Sequence, residues 1–343
     1  MSPEAIPLYH HSDYERHTQG PGHPESPERV KEILRFIRDW KLPVEYMEPV
    51  PVDQSDIQLV HSMSHIEKVR DFGVGYMDPD TFHTDETFDH SLRAAGGVLG
   101  AARQCVKENR PTFAIPRPPG HHAGFDYNMG FCYFNNVAFA ARSIQKEFED
   151  ISRVAIVDID AHHGNGTNDI FYEDPSVLYI STHQWGIFPG TGHFREVGRL
   201  KGVGKTVNIP MRWGAGDPTF ESSLTEIILP ILKQYGPDMV FVSLGVDSHL
   251  MDPLTGLTLS SNGFMDINRT LIEYAKKELG FRICFELEGG YHTYSLGEVF
   301  AGTMAIAAGM DDSPMRYIET RDLNGDPNLM SEVKDNIASY WKV

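Results

Sequence analysis

The chain has 343 residues, of which 41% are hydrophobic, and its 30 Lys+Arg against 48 Asp+Glu give a formal net charge of −18. A surface this acidic repels phosphate backbones, which argues against nucleic-acid partners and favours cationic small molecules or lysine-rich peptides. No apolar run reaches membrane-spanning length and the first residues lack a basic region followed by an apolar one, so a cytoplasmic protein without membrane contact is expected.

Taken in chain order, apolar residues at three- and four-residue spacing predict helices near 27–40, 63–72 and 88–108. The short run "TFAIP" (112–116) predicts a strand, followed by a helix near 135–149 and the strands "RVAIVDID" (153–160), "VLYIST" (177–182) and "KTVNIP" (205–210). A helix near 218–235, the strand "DMVFVSLG" (238–245), a helix near 260–279, the strand "FRICFELE" (281–288) and a helix near 295–309 complete the series. Alternation of this kind predicts the α/β class, a parallel sheet with helices on both faces. Neither a repeat nor a low-complexity linker interrupts it, and one domain over residues 1–343 is expected. The long segments 116–130 and 183–204 are rich in Gly, Pro and His, and loops of that length tend to be functional.

Polar clusters follow four of the predicted strands: "RPPGHHAG", "DIDAHHG", "GVDS" and "EGGYH". Open α/β sheets place their sites at the C-terminal ends of the strands, so the four clusters are expected to meet at one rim. Strand alternation puts Asp158, Asp160 and His162 on one side. Buried carboxylates need a partner, and residues 154–182 contain no Lys or Arg, so a bound cation is the expected one. Asp247, at the end of another apolar strand, is the natural third ligand beside Asp160 and His162. Two carboxylates and one imidazole leave a coordination position open, as catalytic zinc requires. Asp158 lies deeper and is expected to orient a histidine from the 116–130 loop.

The motifs "GHPESPER", "RPPGHHAG", "GFCYFNN", "DIDAHHGNG", "FPGTG", "GVDSHLMDPL" and "EGGY" together resemble the histone deacetylase family, which includes acetylpolyamine amidohydrolases, over residues 8 to 310. The resemblance implies the arginase–deacetylase fold, a three-layer α/β/α sandwich around a mainly parallel eight-stranded sheet. It implies one catalytic zinc on Asp160, His162 and Asp247, with the tandem pair His121 and His122 beside it. Asp158 would accept from His121, Asn165 would support His122 as the general base, and Tyr291 would polarise the scissile carbonyl. A potassium ion is implied at Asp158, Asp160, His162, Ser181 and Thr182. Gly130, Phe131, Phe188 and Leu254 are implied to bind the acyl chain, with Asp78, Asp80 or Asp85 gripping the substrate at the rim.

The reaction implied is hydrolysis of N-acetyl or longer acyl amides of lysine side chains. Acetylpolyamine or broader amide hydrolysis is the alternative, and a silent acyl-binding homologue a further one. Leu254, where polyamine-specific relatives can carry a glutamate, counts against a strict polyamine enzyme. Relatives with two metal ions carry an aspartate where this chain has Gly164, and an Asp-x-Asp where it has Asp247, Ser248 and His249; a single catalytic metal is therefore expected.

Other signals are weaker. "GVGKT" (202–206) has Arg199 where a phosphate loop needs glycine, and leads into a strand. "DLNGDPN" (322–328) reads as a turn. The three scattered cysteines, Cys105, Cys132 and Cys284, offer neither a disulfide framework nor a thiolate zinc site, and Cys132 is expected to pack at the pocket floor. Arg29 is read either as lining an interior channel or as a surface group. His10, His11, His17 and His23 are assigned to the pocket rim or to solvent, and His163 is a neighbour of the metal rather than a ligand. The oligomeric state is left open.

Overall fold

Ten strands carry the framework: β1 (Ile6–Tyr9), β2 (Val44–Met47), β3 (Gly75–Tyr76), β4 (Phe82–His83), β5 (Thr112–Ala114), β6 (Val154–Asp158), β7 (Val177–Gln184), β8 (Thr206–Met211), β9 (Met239–Leu244) and β10 (Ile283–Leu287). The helices are α1 (Glu28–Asp39), α2 (Met63–Asp71), α3 (Thr87–Glu108), α4 (Asn136–Glu147), α5 (Asn165–Phe171), α6 (Asp217–Ser223), α7 (Leu229–Tyr235), α8 (Ser261–Glu278), α9 (Thr293–Ala307) and α10 (Leu329–Ile337). The structure, a computed structural model, describes residues 4–310, 322, 323, 326 and 328–343. The turn expected at 322–328 lies partly outside the described residues.

Eight strands form one sheet in the order β2-β1-β5-β10-β9-β6-β7-β8, and every pairing in it is parallel. Each strand of this sheet except the edge strand β2 is buried on both faces, so alternate residues feed two separate apolar layers. On β6, Val154 and Ile156 enter the layer shared with α3 and α4, whereas Ala155 and Val157 enter the layer shared with α1, α8 and α9. This produces the three-layer α/β/α sandwich and accounts for the near-continuous apolar runs in the sequence.

Local signals set the helix ends. Asn135 and Ser260 cap α4 and α8 by accepting from the amides of Ala138 and Gly263. Asn109 ends α3 in the left-handed region at φ 52°. The helix expected over 218–235 is divided: a π turn over Leu224–Ile228 separates α6 from α7. Pro230 has no amide to return to the carbonyl four residues earlier, and the wider turn sits where the ladder shifts.

All six expected strands are present, and four elements of the main architecture lie outside the expectation. β1 contains Pro7, a residue that argues against an interior strand. The edge strand β2 is half-exposed, and α5 and α10 are too short to show a clear helical period. No described helix is long and apolar enough to cross a membrane.

Candidate metal centre and acyl pocket

The parallel register aligns a row of polar residues across the sheet near the strands' C-terminal ends. Glu286 pairs with Ser243, Ser243 with Asp158, Asp158 with Ser181, and Ser181 with Asn208. All five are buried. They face the α3–α4 side, and the loop 117–124 delivers His121 Nδ1 to Asp158 in the middle of the row.

Asp158 is satisfied by three donors: the Asp160 amide at 3.2 Å, His121 Nδ1 at 3.1 Å and the Tyr179 hydroxyl at 2.9 Å. Its carboxyl is nevertheless held above the usual carboxylate range, chiefly by burial. The strand ends at Asp158, so simple alternation is not what aligns Asp160 and His162 with it. The chain turns instead: Asp160 Oδ1 accepts the His162 amide at 2.8 Å and Oδ2 accepts the Gly289 amide at 2.7 Å. That turn sends the carboxylate of Asp160 and the ring of His162 toward Asp247.

Asp160, His162 and Asp247 offer ligand atoms that all lie within 4.8 Å of one another. His162 Nδ1 is 2.9 Å from Asp247 Oδ2 and 3.2 Å from Asp160 Oδ1. Burial by itself depresses the His162 imidazole, but the hydrogen bonds to Asp160 and Asp247 outweigh it and push the pKa up to about 10. Burial, then the neighbouring Asp160 charge, pushes Asp247 up to about 7. Two buried carboxylates converging on one ring nitrogen are a donor set that fits a divalent cation.

Glycine makes the close approach possible. A Cβ at Gly164 would lie 2.3 Å from Asp158 Oδ2 and 2.5 Å from the Tyr179 hydroxyl. Position 164 therefore lacks a second-metal ligand and also has no room for one. A Cβ at Gly289 would meet Asp247 Oδ2 at 2.3 Å and Asp160 Oδ2 at 2.5 Å.

The tandem histidines differ in their surroundings. His122 Nδ1 lies 2.7 Å from Asn165 Oδ1, and the Asn165 amide nitrogen donates to the Tyr127 hydroxyl at 3.0 Å, which donates to Asp169 at 2.6 Å. With Asn165 oriented by Tyr127, its oxygen only accepts, so Nδ1 of His122 carries the hydrogen and Nε2 is left for the pocket. Burial, followed by the charges of His121 and His162, holds His122 well below the ordinary imidazole range. Burial opposes protonation of His121 too, but Asp160, Glu288 and Asp158 raise it well above that range.

Above the metal ligands opens a pocket of about 190 Å³ lined by Asp80, His122, Gly130, Phe131, His162, Phe188, Leu254 and Tyr291. It brings together all four residues expected to bind the acyl chain. Of the three rim aspartates, Asp80 lines the pocket, Asp78 bonds Asn128, and Asp85 is exposed. Phe131 lies edge-on to Tyr291 with ring centroids 5.9 Å apart, and Tyr291's hydroxyl pKa is raised well above normal by burial.

The remaining candidates resolve individually. Ser181 Oγ bonds His183 Nδ1 at 2.9 Å, while the buried Thr182 hydroxyl has no partner. His163 Nδ1 meets the Thr191 hydroxyl at 2.8 Å, away from the metal ligands. Cys132 is fully buried with Sγ 3.3 Å from the Gly130 carbonyl. Arg29 is fully buried, which removes the surface reading; it bonds the Gly290 carbonyl at 2.8 Å, Glu25 at 3.1 Å and the Glu288 carbonyl, and its guanidinium lies 5.2 Å from the Tyr291 ring. His23 packs edge-on to Phe131 and His17 is fully buried, whereas His10 and His11 are partly exposed beside Glu15 and Asp13.

Two supporting residues escape the sequence reading. Asp252 accepts the amides of Tyr291 at 2.7 Å, His292 at 3.3 Å and Leu254 at 2.9 Å, tying two pocket walls together. Its only sequence signal is the aspartate of "DPL". Glu288 accepts the Gly120 amide at 2.8 Å, immediately before the tandem histidines.

Comparison with known proteins agrees with this geometry. The histone deacetylase domain model matches residues 23–307. A probable deacetylase of Archaeoglobus fulgidus is 37% identical, the match covering 97% of each chain. One of Methanothermobacter thermautotrophicus is 36% identical over 97% of this chain and 99% of its own. The chloroplastic histone deacetylase 10 of Oryza sativa subsp. japonica is 37% identical over 87% of this chain and 74% of that protein. In structure, the HDA15 HD domain superposes with a TM-score of 0.87 at 27% identity, covering 98% of this chain and 97% of that one. The chain belongs to the histone deacetylase family.

Proposed function

We propose that this protein is a single-domain, zinc-dependent amidohydrolase that removes acetyl or longer acyl groups from lysine side chains or related amines. The observation that carries the reading is convergence: Asp160, His162 and Asp247 lie at the floor of the pocket that His122 and Tyr291 line. Zinc held by these three residues would supply a Lewis acid for the amide carbonyl and lower the pKa of water to about 7. His122 Nε2 takes the proton, because Nδ1 is committed to Asn165. The same imidazole then returns it to the departing amine. The Tyr291 hydroxyl donates to the carbonyl oxygen as negative charge develops there. Phe131 and Phe188 flank the alkyl stem, and Asp80 at the rim faces a cationic or amide-bearing substrate body. A monovalent cation beside Asp158, Asp160, His162, Ser181 and Thr182 belongs to the same reading, supported by the full burial of Asp158, whose one ion-pair partner among the described residues is His121.

A panel of acetyl-lysine peptides, acetylputrescine and longer acyl-lysines, offered to zinc-loaded protein, tests the proposal. Hydrolysis of the lysine amides is expected, and activity confined to acetylputrescine would favour the polyamine alternative. No turnover of any member sinks the enzyme reading. Tyr291→Phe is expected to keep zinc and lose about 10²–10³ in rate; full activity in that variant would remove Tyr291 from the mechanism.

A further inference from the structure

Glu286 and Glu288 take no part in the chemistry above, yet both lie fully buried beneath it. Glu286, on β10, accepts the Ser243 hydroxyl through Oε1 at 2.8 Å. Glu288, just past the strand, accepts the Gly120 amide through Oε2 at 2.8 Å. The other two oxygens, Glu286 Oε2 and Glu288 Oε1, find no donor elsewhere, and the two side chains face each other within hydrogen-bonding reach.

Among the described residues, neither carboxyl forms an ion pair with lysine or arginine. Arg29, which bonds the Glu288 backbone, directs its N–H groups to the carbonyls of Glu288 and Gly290 and to the Glu25 side chain. Two carboxylates have four acceptor oxygens and no hydrogen to share, and like charges in contact in a buried site do not both ionise. One proton between them removes both difficulties.

We propose that Glu286 and Glu288 share one proton and act as positioning residues for the tandem histidines, Glu288 bringing the pair's single negative charge to the Gly120 amide at the turn into His121. The charge then lies beside His121 and offsets the positive charge that develops on the histidine pair when His122 takes up a proton. This inference rests on the hydrolase reading for its effect on rate, but not for the shared proton.

The test uses zinc-loaded full chain carrying Glu286→Gln, Glu288→Gln, or both. Glu286→Gln leaves the charge on Glu288 and supplies an amide donor for the shared bond, so its kcat is expected within about threefold of the parent chain. Glu288→Gln moves the charge onto Glu286, away from the Gly120 amide, and its kcat is expected to fall by roughly fivefold, less than in the double variant. The double variant retains hydrogen-bonding groups but no charge; its kcat is expected to fall about tenfold or more, with KM, zinc content and Tm little changed. Infrared difference spectra of the substrate-free chain against either single variant are expected to show loss of a protonated-carboxyl carbonyl band.

Full kcat in the double variant overturns the positioning role. A single variant as impaired as the double, or no carboxyl band, overturns the shared proton. If the double variant fails to fold, the single variants and the band decide. If the parent chain hydrolyses nothing, the hydrolase reading fails and the band alone judges the shared proton.

Discussion

Asp252 offers the sharpest test of how the pocket is held. Its carboxylate is 8% exposed, and it receives the Tyr291 and His292 amides on Oδ2 and the Leu254 amide on Oδ1. Asparagine has the same shape but only one acceptor oxygen. With that oxygen toward Tyr291, its NH₂ opposes the Leu254 amide, donor against donor; flipped, it opposes Tyr291 and His292. Losing a charge-assisted bond while leaving a buried donor unpaired costs about 1.5–3 kcal/mol. Spent on displacing Tyr291, that corresponds to roughly 10- to 150-fold in rate. Asp252→Asn is therefore expected to lower kcat more than it raises KM, since the tyrosine acts where charge develops. Steady-state kinetics on an amide the parent chain hydrolyses, alongside zinc content and Tm, measures this. Parent-like kcat/KM in a folded, zinc-loaded variant would refute the assigned role.

Three further outcomes follow from the geometry. Gly164→Ala forces a methyl group within 2.5 Å of the Asp158 carboxylate and the Tyr179 hydroxyl, and is expected to lower Tm and zinc affinity together; an unchanged Tm would show that the backbone yields cheaply. His162, pushed up to about 10, and Asp247, pushed up to about 7 without metal, must each shed a proton to ligate. Zinc affinity should therefore fall about tenfold per pH unit between about 10 and 7 and up to about a hundredfold per unit below about 7; calorimetric titrations at pH 8 and 6 giving equal affinity would contradict this. His61 donates from Nδ1 to the Gly124 carbonyl at 2.7 Å and accepts the Asn135 amide on Nε2 at 2.8 Å, and burial lowers its pKa to about 3. Because that folded value lies below the unfolded one, the unfolded chain binds the extra proton between about pH 6.5 and 3, and stability falls as pH falls through this window. The contribution lost between pH 7 and 5 is about 2 kcal/mol, and denaturant unfolding of His61→Gln should show a correspondingly flatter pH profile.

Much of the site was legible because its chemistry is concentrated in short motifs. "DIDAHHG" and "GVDS" exposed Asp160, His162 and Asp247, since carboxylates inside apolar strands require a partner. The resemblance to a known family named His121, His122, Asn165, Tyr291 and the pocket residues, and the structure brings these to one place. Asp252 and Glu288 were not legible as supports, because an aspartate before a proline and a glutamate after a strand are common in other settings. Their meaning depends on which backbone amides arrive opposite them.

By itself, the sequence determined the alternation of buried strands and helices, and hence the α/β class. It also determined the identity of the metal-ligand candidates and the absence of a second-metal ligand at Gly164. The tertiary structure alone decided that Asp80 rather than Asp78 or Asp85 reaches the pocket, and that Asp158 finds three donors. It also decided that Glu286 and Glu288 meet under the tandem histidines. The division has one physical cause. Hydrophobic period and ligand chemistry are local properties of a segment, whereas the partner of a buried polar atom comes from chain far away, placed by sheet register and loop closure.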